Sequence, residues 1–240
     1  MNFQKTNIKK FNIYQENVFL SLDKISSNYK YFLVDNSNDS KLSFIGKVSD
    51  DSNYVNPLGY SKNELKEYLF TEVETYYRWN LTKETFSKKS ILEEDSLLNF
   101  TTGYGVIITG SDLLVLDIDT IDQYNELLEL SPNIIKTCKF KRINTDNPHK
   151  MHLYFKKPIG FETYGTIRRI KLNKQKLWIC GLNKKKFPLE VDTAHLFRNE
   201  RYDYDLVGHM DNITECPSEI IDRIVEWQNI NLNKAILDIA

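Results

Sequence analysis

The chain has 240 residues, enough for one large domain or two small ones with a substantial core. It is 41% hydrophobic and 27% charged, an ordinary globular balance, and it holds no run of 18 apolar residues, which excludes a membrane-spanning helix. The formal net charge of -1 hides a segregation: residues 136–186 hold 15 Lys and Arg against Asp146 and Glu162, a balance of +13, leaving 17 basic and 31 acidic residues, or -14, elsewhere.

Residues 1–15 lack the apolar core of a signal peptide. Residues 12–30 read as a helix followed by polar loop, 31–34 and 41–47 as strands, and 53–58, with Asn, Pro and Gly, as a turn. Ser61 and Glu64 fit a capping box opening a helix that runs to about Tyr77, and the polar stretch 80–99 reads as partly helical. Residues 106–109 and 113–119 are predicted strands, with Gly110, Ser111 and Asp112 between them as a tight hairpin signal. Residues 120–130 form an amphipathic helix with Ile121, Tyr124, Leu127 and Leu128 on one side. Residues 134–140, 151–156, 177–182 and 188–192 read as further strands, and 217–229 as a closing helix. Strands outnumber helices in the middle of the chain, which predicts an α+β fold with a largely antiparallel or mixed sheet. Cys138, Cys180 and Cys216 are scattered with no CxxC pair, which points to a reducing, cytoplasmic compartment and against a disulfide framework. Buried bystander thiols are the default for them, and a zinc site using Cys180 with His195 or His209 is the alternative.

Successive strand residues point to opposite faces, so Leu114, Leu116 and Ile118 share one face and Val115, Asp117 and Asp119 the other. Two carboxylates then stand roughly 7 Å apart, from a rise of ~3.3 Å per residue. Like charges so placed repel unless a cation sits between them, and hard carboxylate oxygens favour Mg²⁺ or Mn²⁺. The bland reading is that Asp119 or Thr120 caps the following helix, with Asp122 or Gln123 three residues on; it accounts for one Asp, not for two on one face. In the next predicted strand Lys150, His152 and Tyr154 share a face; ammonium and imidazole N–H suit polyphosphate oxygens, whereas a lone strand histidine is ordinarily structural. Glu190 and Asp192 repeat the co-facial carboxylate pattern, and a third carboxylate is what a two-metal site requires. The basic segment is read either as a surface for a polyanion or as a solvated lysine-rich loop.

Thr109-Gly110, a short hairpin, a hydrophobic strand ending Asp117-Ile-Asp119, then His152-Leu-Tyr-Phe155 and Val191-Asp192 together resemble the prim-pol branch of the archaeo-eukaryotic primase superfamily. The resemblance covers about residues 103–192, with a weaker echo at Cys216-Pro-Ser-Glu-Ile-Ile221. It implies a nucleotidyltransferase, a DNA primase and polymerase that joins nucleoside or deoxynucleoside triphosphates on a single-stranded DNA template. It further implies a two-metal site of Mg²⁺ or Mn²⁺ on Asp117, Asp119 and Asp192, with His152 holding the triphosphate. Lys150 stands where the family usually has a small residue, so a charge would replace a backbone or hydroxyl donor. The implied fold is an RRM-like catalytic sheet over residues 101–215, an N-terminal α/β lobe of the same unit over 1–100 and a C-terminal helix over 216–240. Template would follow the basic segment, including Arg168, Arg169 and Lys171. A plasmid, viral or mobile-element replication protein acting with a helicase in cis or in trans is the implied setting. The rival readings are a metal-dependent nuclease, which needs the same acids but no triphosphate, and a non-catalytic nucleic-acid-binding module.

Overall fold

A computed structural model of the chain describes residues 20–35, 43–45, 59–69, 72–80, 85–96, 101–161, 169–182, 191–192 and 204–237. The fold is α+β and contains two six-stranded sheets whose neighbouring strands all run antiparallel. The first sheet is formed by β1 (Lys30–Asp35), β2 (Ser43–Ile45), β3 (Glu72–Asn80), β4 (Thr85–Ser96), β5 (Thr101–Ile107) and β11 (Val191–Asp192), in the order β11-β5-β1-β2-β3-β4. The second is formed by β6 (Leu113–Ile118), β7 (Phe140–Asn144), β8 (Met151–Lys156), β9 (Arg169–Lys171), β10 (Lys176–Cys180) and β12 (Tyr204–Gly208), in the order β12-β7-β8-β6-β10-β9.

The described residues include α1 (Lys62–Leu69), α2 (Ile121–Leu130), the single turn α3 (Ile134–Thr137) and α4 (Ser218–Leu237) beside the sheets. None of the described helices is long and apolar enough to cross a membrane. The two N-terminal capping signals in the sequence are both used. The Ser61 backbone N–H donates to Glu64 Oε2 at 2.8 Å, and Glu64 N–H donates to Ser61 Oγ at 3.3 Å. Thr120, not Asp119, caps α2: its hydroxyl accepts from Gln123 N–H at 3.2 Å while Gln123 Oε1 accepts from Thr120 N–H at 3.0 Å.

Three expectations are corrected. The helix after Ser61 ends at Leu69; Glu72–Asn80 and Thr85–Ser96 are paired strands rather than helix. Glu72–Asn80 alternates Val, Thr, Tyr and Trp with polar residues, a β pattern that the strong cap upstream obscures. Residues 134–137 form α3, and the strand expected there begins only at Phe140. Residues 110–112 do not close a hairpin. β5 pairs with β1 and β11, β6 pairs with β8 and β10, and the turn at Gly110 (φ 77°) carries the chain from one sheet into the other. Of the segment 12–30, expected as a helix followed by polar loop, residues 12–19 lie outside the described residues, and the described part opens with a helical end at Leu20–Leu22 followed by turns.

β6 and β7 both run antiparallel to β8, which lies between them, so they are parallel to each other and joined through α2 and α3. This is a split βαβ arrangement. The face carrying Leu114, Leu116, Ile118, Met151, Leu153, Phe155, Leu177 and Ile179 packs against Leu127 of α2, Ile134 of α3 and Ile220 and Ile224 of α4. The other face starts equally apolar. Leu113, Val115, Phe140, Tyr154 and Leu206 join Tyr31, Leu33, Tyr104 and Val106 of the first sheet in a second core. Two residues further along β6, that face turns polar.

Candidate nucleotide and metal site

The polar part of this face is a single cross-strand row. Register places Arg169 opposite Trp178, Trp178 opposite Asp117, Asp117 opposite His152, His152 opposite Arg142, and Arg142 opposite Leu206. Opposed residues in antiparallel strands share a face with Cβ atoms about 4.5–5.5 Å apart, so residues widely separated in sequence become neighbours.

At the centre of the row a carboxylate meets an imidazole. His152 Nε2 lies 3.1 Å from Asp117 Oδ1, with the two side chains 14% and 29% exposed. The same nitrogen lies 3.4 Å from Arg142 Nη1. One ring nitrogen cannot donate to a carboxylate and accept from a guanidinium at once. The shorter contact favours Nε2–H donating to Asp117, which leaves Arg142 beside the ring without a good acceptor there. Arg142 is only 2% exposed, its guanidinium carbon sits 3.3 Å over the Tyr204 ring, and its Nε has no hydrogen-bond partner among the described residues. A guanidinium removed from water with so few acceptors carries a large desolvation cost unless an anion approaches it. Asp117, reached through His152, is the nearest acid of this row.

Asp119 and Lys150 follow at the strand ends, one residue past the Ile118–Met151 pair and on the face of Asp117 and His152. Both are exposed. Since Thr120 supplies the helix cap, the capping explanation does not account for the Asp119 carboxylate. Its backbone is held instead: Asp119 N–H donates to Gln123 Oε1 at 2.8 Å, and Gln123 Nε2 donates to the Lys176 carbonyl at 2.8 Å. Gln123 thereby ties the end of β6 to the start of β10.

Asp192 lies in β11, where its backbone pairs with Val106 of the inter-sheet core; its side chain and that of Glu190 lie outside the described residues, as does Arg168. Arg169 and Lys171 are exposed on the edge strand β9. The Arg169 guanidinium carbon sits 3.7 Å over the Trp178 ring. Among the described residues, no group of three His, Cys, Asp or Glu side chains gathers. Of the zinc alternative, Cys180 lies on β10, His209 accepts from Asp211 N–H at 3.2 Å to cap a short 3₁₀ turn, and His195 is outside the described residues. Two co-facial carboxylates on a partly exposed sheet end are a donor set that fits a hard divalent cation.

Sequence reading missed Arg142, Tyr204 and Trp178, and gave Gln123 only as a partner of the helix cap, not as the tie to β10. The signal for Arg142 was present: in Phe140-Lys-Arg-Ile-Asn144, Phe140, Arg142 and Asn144 alternate onto one face, but the strand was expected to end at Phe140. Neither protein-family models, curated proteins nor solved structures gave a match to this chain.

Proposed function

We propose that the chain is the catalytic core of a DNA primase–polymerase, joining nucleoside or deoxynucleoside triphosphates to a 3′-hydroxyl, or to a second nucleotide, on single-stranded DNA. The observation that carries this reading is the direct opposition of Asp117 and His152 across β6 and β8, on a charged stretch of a split βαβ sheet. An acidic pair and a phosphate-binding histidine on neighbouring strands are what the motif resemblance implies, and the strand order β7-β8-β6-β10 supports an RRM-like catalytic sheet.

In the reaction, the hydroxyl oxygen forms a bond to the α-phosphorus, the bond to pyrophosphate breaks, and the hydroxyl proton leaves to solvent. Mg²⁺ or Mn²⁺ held by Asp117, Asp119 and Asp192 would activate the hydroxyl and neutralise the leaving pyrophosphate. His152 and Lys150 orient the triphosphate, and Arg142 adds a fixed positive field behind His152. Asp117 has two oxygens: one accepts from His152, which fixes the rotamer of the carboxylate that must meet the cation. Catalysis here is positioning and charge neutralisation rather than covalent chemistry by the protein.

Incubating the protein with a labelled primer on a single-stranded template, Mn²⁺ and all four deoxynucleoside triphosphates tests the reading. Elongation that disappears in Asp117→Asn supports it. Shortening of the same DNA without triphosphates points to a nuclease, and binding with neither outcome to a non-catalytic module.

A further inference from the structure

The basic segment contains one hairpin whose construction is described in full, β9–β10, and it is held by an acid. Glu126 of α2 accepts backbone N–H bonds from Asn173 at 2.9 Å, from Lys174 at 2.9 and 3.1 Å, and from Gln175 at 2.9 Å. The carboxylate is therefore spent on the turn's backbone, although four cationic side chains, Arg169, Lys171, Lys174 and Lys176, surround that turn. Among the described residues none of the four lies within salt-bridge distance of a carboxylate. Against a desolvation that raises it, the Glu126 carboxyl is held below its ordinary range by those backbone N–H bonds, to which only Lys174, beside the turn, adds its charge. Gln123, one helical turn earlier on α2, adds the hydrogen bond to the Lys176 carbonyl. Lys171 is directly opposite Lys176 across the hairpin, and both are exposed. Like charges in that arrangement destabilise an antiparallel pair. They lie one row beyond Arg169 and Trp178, on the face that carries Asp117.

A hairpin that opposes two lysines and uses the adjacent glutamate to lock its turn, not to neutralise them, is built to present charge in a fixed geometry. We infer that the β9–β10 hairpin is a preset docking arm for the phosphates of single-stranded DNA, led by Lys171 and Lys176, and that Glu126 is the positioning residue that fixes it. The inference rests on the proposed reading only for the identity of the polyanion. Phosphate neutralisation by lysine supplies the affinity, and a fixed hairpin avoids the entropy of ordering these side chains on binding.

The test turns on a sign. Glu126→Ala removes a negative charge, so bulk electrostatics alone predicts tighter DNA binding. Positioning predicts the reverse: affinity for labelled oligothymidylate falls roughly three- to tenfold, as expected for the cost of immobilising a few side chains, with the salt slope nearly unchanged. Lys171→Gln with Lys176→Gln should instead reduce the slope of log affinity against log salt by about 1.4, at ~0.7 per single-strand phosphate. Amide exchange at Asn173, Lys174 and Gln175 should quicken in Glu126→Ala and stay slow in the double lysine variant, which reports the turn directly, while unchanged protection of the paired β6 and β8 amides in both variants shows that they are folded. Equal or tighter binding by Glu126→Ala, or an unchanged slope in the double variant, overturns the inference. Primer extension is not a readout: a protein that binds DNA in this way but extends no primer would sink the polymerase reading and leave the docking arm standing.

Discussion

The two faces of β6 are made by alternate residues of one six-residue strand, yet they obey different physics. Leu114, Leu116 and Ile118 are all at most 1% exposed and lie under α2, α3 and α4. On the opposite face Leu113 and Val115 are equally buried, but the series then continues into Asp117 and Asp119. The apolar face is thus uniform along its length, whereas the other is apolar only where the first sheet covers it. Burial supplies the stability of both. The charged end adds little to that and is costly at Arg142, a pattern expected where function rather than folding selects the residues.

The largest effects should separate these faces cleanly. Asp117→Asn is nearly isosteric and partly exposed, so it should leave unfolding free energy within about 1 kcal/mol while lowering nucleotide incorporation by at least ~100-fold. Asp119→Asn should behave alike. Leu116→Ala, one residue away on the other face, should cost about 2–5 kcal/mol of stability from lost transfer energy and the cavity left behind. Its residual folded protein should keep its kcat. Denaturant unfolding together with primer extension on the three variants decides; a stable, active Asp117→Asn would remove the metal assignment.

This comparison also marks how far the sequence could be read. Period-2 alternation fixes which side each residue of a strand takes, so Asp117 with Asp119, and His152 with Lys150, are legible as co-facial within their own strands; that the two strands pair and set Asp117 opposite His152 is not. The caps at Ser61 and Thr120 were legible for a similar reason, since each motif is satisfied within four residues. What failed was non-local. Nothing in Gly110-Ser-Asp112 tells that β5 and β6 enter different sheets, since a turn that closes a hairpin and one that changes sheets need the same glycine. Ile134–Thr137 carries β-branched residues, but the backbone of Asn133 and Ser131 turns it into one helical turn before β7 begins. Missing that shifted the start of β7 and hid Arg142, whose place beside His152 is set by pairing with a residue ten positions away.

Arg142 offers the next comparison, because it is a charge buried as deeply as the core leucines. Replacing it with Met removes a desolvated guanidinium and keeps much of the volume. Stability should be unchanged or rise, in a range up to ~1–4 kcal/mol, while nucleotide affinity falls several-fold through loss of the field behind His152. Thermal unfolding and equilibrium nucleotide binding report the two halves. A large destabilisation would show that Arg142 belongs to the core after all. His152→Ala, in the same row, and Lys150→Ala, two residues before it on the same face, should weaken nucleotide binding with smaller changes in stability, since neither fills a core. A complex with the triphosphate far from both side chains would refute their role.

The smallest effect concerns what covers the apolar face. α4 reaches its place through Glu219 in its first turn, whose Oε1 accepts from the Ser131 hydroxyl at 2.5 Å across the end of α2. That hydroxyl holds the carboxyl below its ordinary value, helped by the helix's own N–H and by Ser218 against a small opposing effect of burial. A depressed folded-state value makes the pair's stabilisation fully present above the ordinary glutamate range. It is lost as pH falls through the lower, folded value. Because the group is largely hydrated, its contribution should stay under about 1 kcal/mol. Ser131→Ala should therefore flatten the acid limb of the stability-against-pH curve slightly and leave the neutral plateau lower by that same small amount. DNA binding and incorporation at neutral pH should not move, since the charged face lies on the other side of the sheet. If Ser131→Ala altered incorporation without altering the acid limb, the two faces would be coupled through α2, and the separation drawn between them would fail.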